Sequence, residues 1–259
     1  TPSTTQVPIR VIAAGDTLVL LTAHTSNDFL RVRSGSDTGW VFSALVEIVI
    51  TPPTVPPVTP PPVTPPSVAP PPVTSAPQNY HGCPLLGNAV QPAVKSLNVL
   101  KNRFIAPTDA ELDSTVTLEA MLAPGADDHR FTEQKGAIIE GVVLAVKVGG
   151  IETVNCKTTD PVFRDTHIEL GIGPGVPATR RVIVEVTPRW RAAMQAAGLT
   201  WTTAGLQSLV GKRVRFRGWL MFDIEHRDAS ENTAPGHAGN WRATAWELHP
   251  ITWLTTVSP

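Results

Sequence analysis

Two short stretches carry histidines and carboxylates at alternate positions, the spacing that puts side chains on one face of an extended strand. Asp165, His167 and Glu169 fall in the run Arg164-Asp165-Thr166-His167-Ile168-Glu169-Leu170, and Glu247 and His249 in Trp246-Glu247-Leu248-His249-Pro250. Between them Glu185 interrupts the apolar run Val182-Ile183-Val184-Glu185-Val186. Imidazoles beside carboxylates can hold a divalent cation such as zinc, or move a proton during hydrolysis. His167 and His249 are therefore the candidate metal ligands, and His167, Glu169, Glu185, Glu247 and His249 the candidate catalytic set. A solvated strand face with cross-strand His and Glu pairs produces the same alternation, so the pattern alone leaves both readings open.

Strands must supply these faces, and the hydrophobic pattern predicts them. Ala137 to Val148 is a long apolar-rich run, while Thr166 to Ile172 and Arg181 to Val186 alternate. Thr187-Pro188 opens a helix, with Thr as N-cap and Pro at the first turn, running through Trp190, Ala193, Met194 and Ala197 to a stop at Gly198. A further helical turn is expected from Thr203 to Val210, then strands over Lys212 to Phe222 and Arg242 to Thr256. The order β-β-β-α-β-β is that of the OB-fold, a small Greek-key barrel. In that order strand 3 lies between strands 2 and 5, which gathers the His and Glu residues into one patch.

Ligands of such barrels often meet the connections between strands 1 and 2 and between strands 4 and 5. Those connections, about 149–164 and 223–241, are long for a compact domain, which favours a functional role. Lys157, Asp160 and Arg164 in the first and His226, Glu231, Asn232 and Trp241 in the second are the candidate ligand-binding residues. Residues 79–135 lead into this domain, and the element type of Ser96 to Phe104 and Thr115 to Met121 is not settled by periodicity. Trp190, Trp201, Trp246 and Trp253 read as core or core-edge residues, and His24, His81 and His129 as surface or loop residues.

Arg213, Arg215 and Arg217 share one strand face, with Val214 and Phe216 on the other and Trp219 nearby. Single-stranded nucleic acid can track on such a ladder, but arginines paired with neighbouring acids give the same pattern. Cys83 and Cys156, the two cysteines of the chain, would form a disulfide in an oxidising compartment. The competing reading, Cys156 as a nucleophile, has no supporting motif. No Ser/His/Asp signature, phosphate-binding glycine loop or CxxC pair is present.

The chain has 259 residues, a net charge of −1 and 42% hydrophobic residues, which suits one or two domains with real cores. No apolar run approaches the roughly 20 residues of a membrane-spanning helix. Thirteen of the 26 prolines lie between Thr51 and Gln78, so 51–78 reads as a stiff polyproline-type linker. Before it stand three basic and four acidic residues, and after it eighteen of each, so neither part attracts nucleic acid through overall charge. Residues 136–259 form the expected OB-fold-like domain.

In residues 1–50, Asp16 to Leu21, Phe29 to Arg33 and Gly39 to Phe42 read as short strands. The succession Ala13 to Leu21, Asn27 to Arg33 and Thr38-Gly39-Trp40-Val41-Phe42 resembles the bacterial SH3 domain (SH3b), with the first strand of that family missing. The chain therefore reads as trimmed at its start, and its lack of a signal peptide says nothing about export. The resemblance implies a module that binds cell-wall peptide or a protein partner at the envelope, in a secreted or envelope-associated protein. Trp40 is a candidate ligand platform, though a half-buried structural role is the expected one. Asn155-Cys156-Lys157, Arg164 to Leu170, Val184 to Arg189, Gly218-Trp219, Glu231-Asn232-Thr233 and Trp241 to Pro250 resemble uncharacterised bacterial proteins with OB-like domains, a resemblance that implies no activity. The expected fold class is mainly β: a partial SH3-like barrel, a proline-rich linker, and an OB-fold-like barrel with one main helix.

Overall fold

A computed structural model describes residues 16–21, 29–34, 36–42, 46 and 79–257. The linker expected over 51–78, the strand and turn residues expected before Asp16, and His24 lie outside the described residues. The chain divides into two compact units, with the boundary at Val63 and Thr64.

In the first unit, β1 (Val19–Leu20), β2 (Phe29–Ser34) and β3 (Asp37–Phe42) form an antiparallel sheet in that order. Leu30 and Val32 of β2 are buried while Arg31 and Arg33 are exposed, the alternation of a half-buried strand. Trp40 is 44% exposed, more open than a structural core tryptophan.

The second unit begins with a two-stranded ribbon, β4 (Asn79–Tyr80) and β5 (Cys83–Pro84), followed by helix α1 (Pro92–Lys101) and the short helix α2 (Leu118–Leu122). Pro92 at the start of α1 has the φ that the first turn needs and no N–H to leave unpaired. Then come β6 (Gly136–Val148), β7 (Thr166–Gly171), β8 (Val182–Val186), α3 (Pro188–Ala196), α4 (Thr203–Leu206), β9 (Arg213–Phe222) and β10 (Trp246–Thr256). The five long strands close into a barrel in the order β10-β8-β7-β6-β9. All pairs are antiparallel except β8 with β10. This is the expected mainly β class, with the expected element order around one principal helix after the third barrel strand.

Strand β6 serves two neighbours: Gly136 to Val142 pair with β9, and Val142 to Val148 with β7. A register shift between Val143 and Ala145 gives the bend that this double duty requires. Inward residues of the barrel, among them Ile139, Ile168, Leu170, Val184, Phe216 and Leu248, share one core with Trp190 and Met194 of α3. The hydroxyl of Thr187 caps α3 by accepting the Trp190 N–H, and Gly198, at φ +80°, supplies the left-handed residue beyond its end.

One strand starts later than the pattern suggests. Arg242 to Ala245 are held elsewhere: Asn232 N–H donates to Ala243 O, Ala243 N–H to Arg181 O, and Ala245 N–H to the buried carboxylate of Asp127. Those competing partners leave β10 to begin at Trp246.

Candidate functional site: a buried charge cluster on the barrel wall

Because Ile168, Val184 and Leu248 point into the core, the alternate residues His167, Glu169, Glu185, Glu247 and His249 project from the outer wall. Register brings them together. His167 stands opposite Glu185 across β7 and β8, and Leu248 opposite Val184 across β8 and β10 sets His249 beside Glu185.

This wall is not solvated. His167, Glu169, Glu185, Glu247 and His249 are all buried, as is Asp165 just before β7. Helix α1 and both long connections cover them. Lys101, on the last turn of α1, places Nζ 2.7 Å from Glu152 Oε2 of the first connection and 3.2 Å from Asp223 Oδ2 of the second. Arg242 ion-pairs with Glu247 at 2.9 Å. Trp241 packs its ring 5.5 Å from that of His167 and 5.1 Å from that of His226.

At the centre, Glu185 lies between two imidazoles, with Oε1 2.8 Å from His167 Nδ1 and Oε2 3.5 Å from His249 Nδ1. His249 Nδ1 also lies 3.2 Å from Glu247 Oε1. Asp165 Oδ2 accepts a hydrogen bond of 2.9 Å from Asn155 Nδ2. With carboxylates beside both Nδ1 atoms, a ring in its neutral form keeps its proton there and leaves the lone pair at Nε2. Both Nε2 atoms, Asp165 Oδ1 and Glu185 Oε2 are buried without a hydrogen-bond partner. One ligand atom each from Asp165, Glu185 and His249 lie within 4.8 Å of one another.

Burial and charge pull the ionisations in opposite directions. Burial would discharge His167, but the carboxylates of Glu169 and Glu185 outweigh it and raise its pKa to about 9. Burial likewise opposes the charge on His249, and Glu247 and Glu185 outweigh it, again upward. Glu185 is held below the usual carboxylate range, since its two histidines overcome burial. Asp165 goes the other way: burial, reinforced by Glu185, pushes it up to about 7 despite His249. Glu169 is depressed by His167, 3.7 Å away, and by Lys147 and Arg181, which contact it at 2.6 and 2.7 Å.

Of the residues expected from spacing, Glu185 and His249, joined by Asp165 rather than His167, have ligand atoms within 4.8 Å of one another. His167 turns its Nε2 toward Glu169, because β7 alternation keeps these two side chains on the same strand face. Among the expected ligand-binding residues, His226 and Trp241 reach the cluster, His226 through a 2.9 Å contact with Asp223. Others bind within their own loops or, for Asn232, to the entry segment. Asp160 caps a helical turn at Val162, and Arg164 donates to Gly149 and Gly150 carbonyls. Glu231 accepts from Gly236 and Asn240, and Asn232 donates to Ala123 O and Asp127. Lys157 is exposed. The two connections are therefore largely braced by their own hydrogen bonds.

The arginine ladder is also committed. Arg215 pairs with Glu140 at 2.9 Å and Arg217 with Asp109 at 2.8 Å, while Arg213 lies 3.7 Å from Glu140. Trp219 is buried, donates to Ile105 O, and has Arg103 over its ring, so it offers no stacking surface. Cys83 and Cys156 are joined in a disulfide, which removes the thiol that a nucleophilic Cys156 requires.

Lys101, Asp223 and Arg242 are the cluster members that alternation missed. Lys101 was within reach: buried Asn98, Lys101 and Asn102 recur at helical spacing after the Pro92 start signal. A cleft of about 480 Å³ lined by Phe131, Phe222, Ile224 and Trp246 contains none of the ligand atoms. No helix among the described residues is long and apolar enough to cross a membrane. Compared with known proteins, the chain matches no family model and no curated protein.

Proposed function

We propose that the C-terminal barrel is a divalent-cation-binding module with Asp165, Glu185 and His249 as ligands. The observation that carries this reading is the meeting of three buried ligand atoms within 4.8 Å, each residue having a buried polar atom without a hydrogen-bond partner. Each such unpaired group costs about 1–3 kcal/mol. A cation would satisfy them and offset the repulsion between Asp165 and Glu185. One nitrogen and two oxygen donors suit zinc or manganese, and the fourth zinc position would remain for water or a ligand. Glu247, backed by Arg242, would orient His249 through Nδ1. A metal ligand must be deprotonated, so cation binding would compete with protons for the His249 imidazole.

Burial of the cluster under two braced connections suits a held ion better than turnover. Hydrolysis is the second reading, favoured by His226, whose side chain is 32% exposed and oriented by Asp223. The wider proposal is an exported, envelope-associated binding protein. Its disulfide suits an oxidising compartment, and the N-terminal sheet would contact cell-wall peptide or a partner protein.

Isothermal titration with zinc and with manganese tests the cation reading. Wild-type protein should bind one ion per chain, and Asp165→Asn, nearly isosteric, should weaken binding at least about 10-fold. Equal heats from the two proteins, or none from wild type, would overturn it.

A further inference from the structure

We propose that the Cys83–Cys156 disulfide sets the cation affinity of the barrel site, reduction weakening it while the protein stays folded. The proposal rests on the cation reading above.

The covalent tie ends one residue from the site's own support. Cys156 follows Asn155, and Asn155 Nδ2 holds Asp165 Oδ2 at 2.9 Å, which leaves Oδ1 as the free ligand atom. At the other end, Cys83 belongs to the β4–β5 ribbon, and Arg189 of α3 donates to its carbonyl at 3.1 Å. The bond therefore clamps the Asn155 turn to a ribbon anchored on the helix that packs into the core.

That turn needs a clamp. Cys156 and Lys157 sit consecutively in the left-handed region, at φ 53° and 55°. Neither is glycine, and such conformations persist only where the surroundings enforce them. Local bonds enforce part of this: Lys157 N–H donates to Glu152 O at 2.8 Å and Cys156 N–H to Thr153 O at 3.0 Å. The start of the loop has independent moorings. Asn98 of α1 donates to Thr153 Oγ1 at 3.1 Å, Asn88 N–H to Thr153 O at 3.0 Å, and Lys101 pairs with Glu152. Residues 152–153 thus stay docked without the disulfide, whereas 155–157 lose their covalent restraint. The expected change is a relaxed Asn155 turn and a less fixed Asp165, not an unfolded domain.

Reduction by a dithiol is balanced. Two electrons and two protons pass to the sulfurs of Cys83 and Cys156, giving two thiols, while dithiothreitol closes to its cyclic disulfide. Loss of a residue that orients a metal ligand typically weakens affinity about 10- to 100-fold. By linkage, the cation must make the disulfide harder to reduce by that same factor.

The experiment measures manganese affinity of the full chain, oxidised and reduced, by titration calorimetry, together with Asn155→Ala in both states and the Cys83→Ser/Cys156→Ser protein. Manganese is used because zinc would also bind the freed thiolates. Reduction should weaken manganese binding about 10-fold or more, the double serine protein should match the reduced one, and Asn155→Ala should become insensitive to reduction. Saturating manganese should raise the dithiothreitol ratio needed for half-reduction. Equal affinity in both states overturns the proposal and leaves the cation reading standing. Loss of near-UV circular dichroism on reduction overturns it too, since the bond would then hold the fold rather than set affinity. No manganese binding in either state overturns both.

Discussion

Replacing Lys101 with methionine keeps the unbranched stem of the side chain and removes its ammonium, which isolates what one buried charge does for the roof of the site. Lys101 is 1% exposed and contacts Glu152 at 2.7 Å and Asp223 at 3.2 Å. The two acids would respond differently. The Glu152 side chain is 18% exposed and can turn toward water, but that of Asp223 is 2% exposed and cannot. Breaking a buried pair by deleting one partner costs about 3–5 kcal/mol. Asp223 would keep its contact with His226 and the N–H of Glu225, both at 2.9 Å, so the low end, about 3 kcal/mol, is expected. For a domain of this size that is a fall of roughly 6–12 °C in Tm.

The pH dependence of that loss carries a sign. Burial would raise the Asp223 pKa, but Lys101 and His226 outweigh it and hold it well below the normal value. A depressed carboxyl stabilises above its unfolded pKa and loses that contribution as pH falls through the folded one. The gap between wild type and Lys101→Met should therefore be widest near neutrality and narrow below about pH 4. Urea denaturation across pH 3–8 measures it, with Lys101→Met/Asp223→Asn as the companion that removes the stranded charge and should recover part of the loss. A neutral-pH loss under about 1 kcal/mol, the scale of an exposed pair, would refute the reasoning.

The alkaline limb should depend on His167. Its pKa is raised to about 9 because Glu169 and Glu185 outweigh burial, so its contribution is complete below the unfolded value of about 6.5 and disappears as pH rises through about 9. Urea midpoints should fall across that window in wild type, by up to about 3 kcal/mol in stability, and fall less in His167→Gln. Trp190→Ala, which removes a ring 1% exposed and its hydrogen bond to Arg103 O, should cost about 3–5 kcal/mol in the same assay, whereas Arg215→Ala on the exposed ladder should cost under about 1 kcal/mol.

Alternation and capping chemistry were enough to read the barrel strands and α3, because each signal is local: side chains two residues apart share a face, and Thr187 with Pro188 meets the needs of a helix start unaided. They also showed that His167, Glu169, Glu185, Glu247 and His249 project from one side of three strands. What covers that side depends on residues distant in the chain. Lys101 meets Asp223 across more than a hundred positions, and Asp127 holds Thr244 and Ala245 away from the strand they would otherwise extend. Nothing in a strand's own pattern distinguishes a polar face left in water from one roofed by a helix and two loops.

Two cysteines allow one pairing, but the sequence left open whether it forms, and it did not reveal the place of the bond beside Asn155 and Asp165. Nor could spacing single out Asp165 from His167, which alternate along the same run. Only folding brings one ligand atom each of Asp165, Glu185 and His249 within 4.8 Å of one another. Local periodicity thus determined which residues face the same way. The tertiary structure decided which are buried, which are already paired and which remain available, because burial and pairing arise from contacts between segments that the chain brings together only on folding.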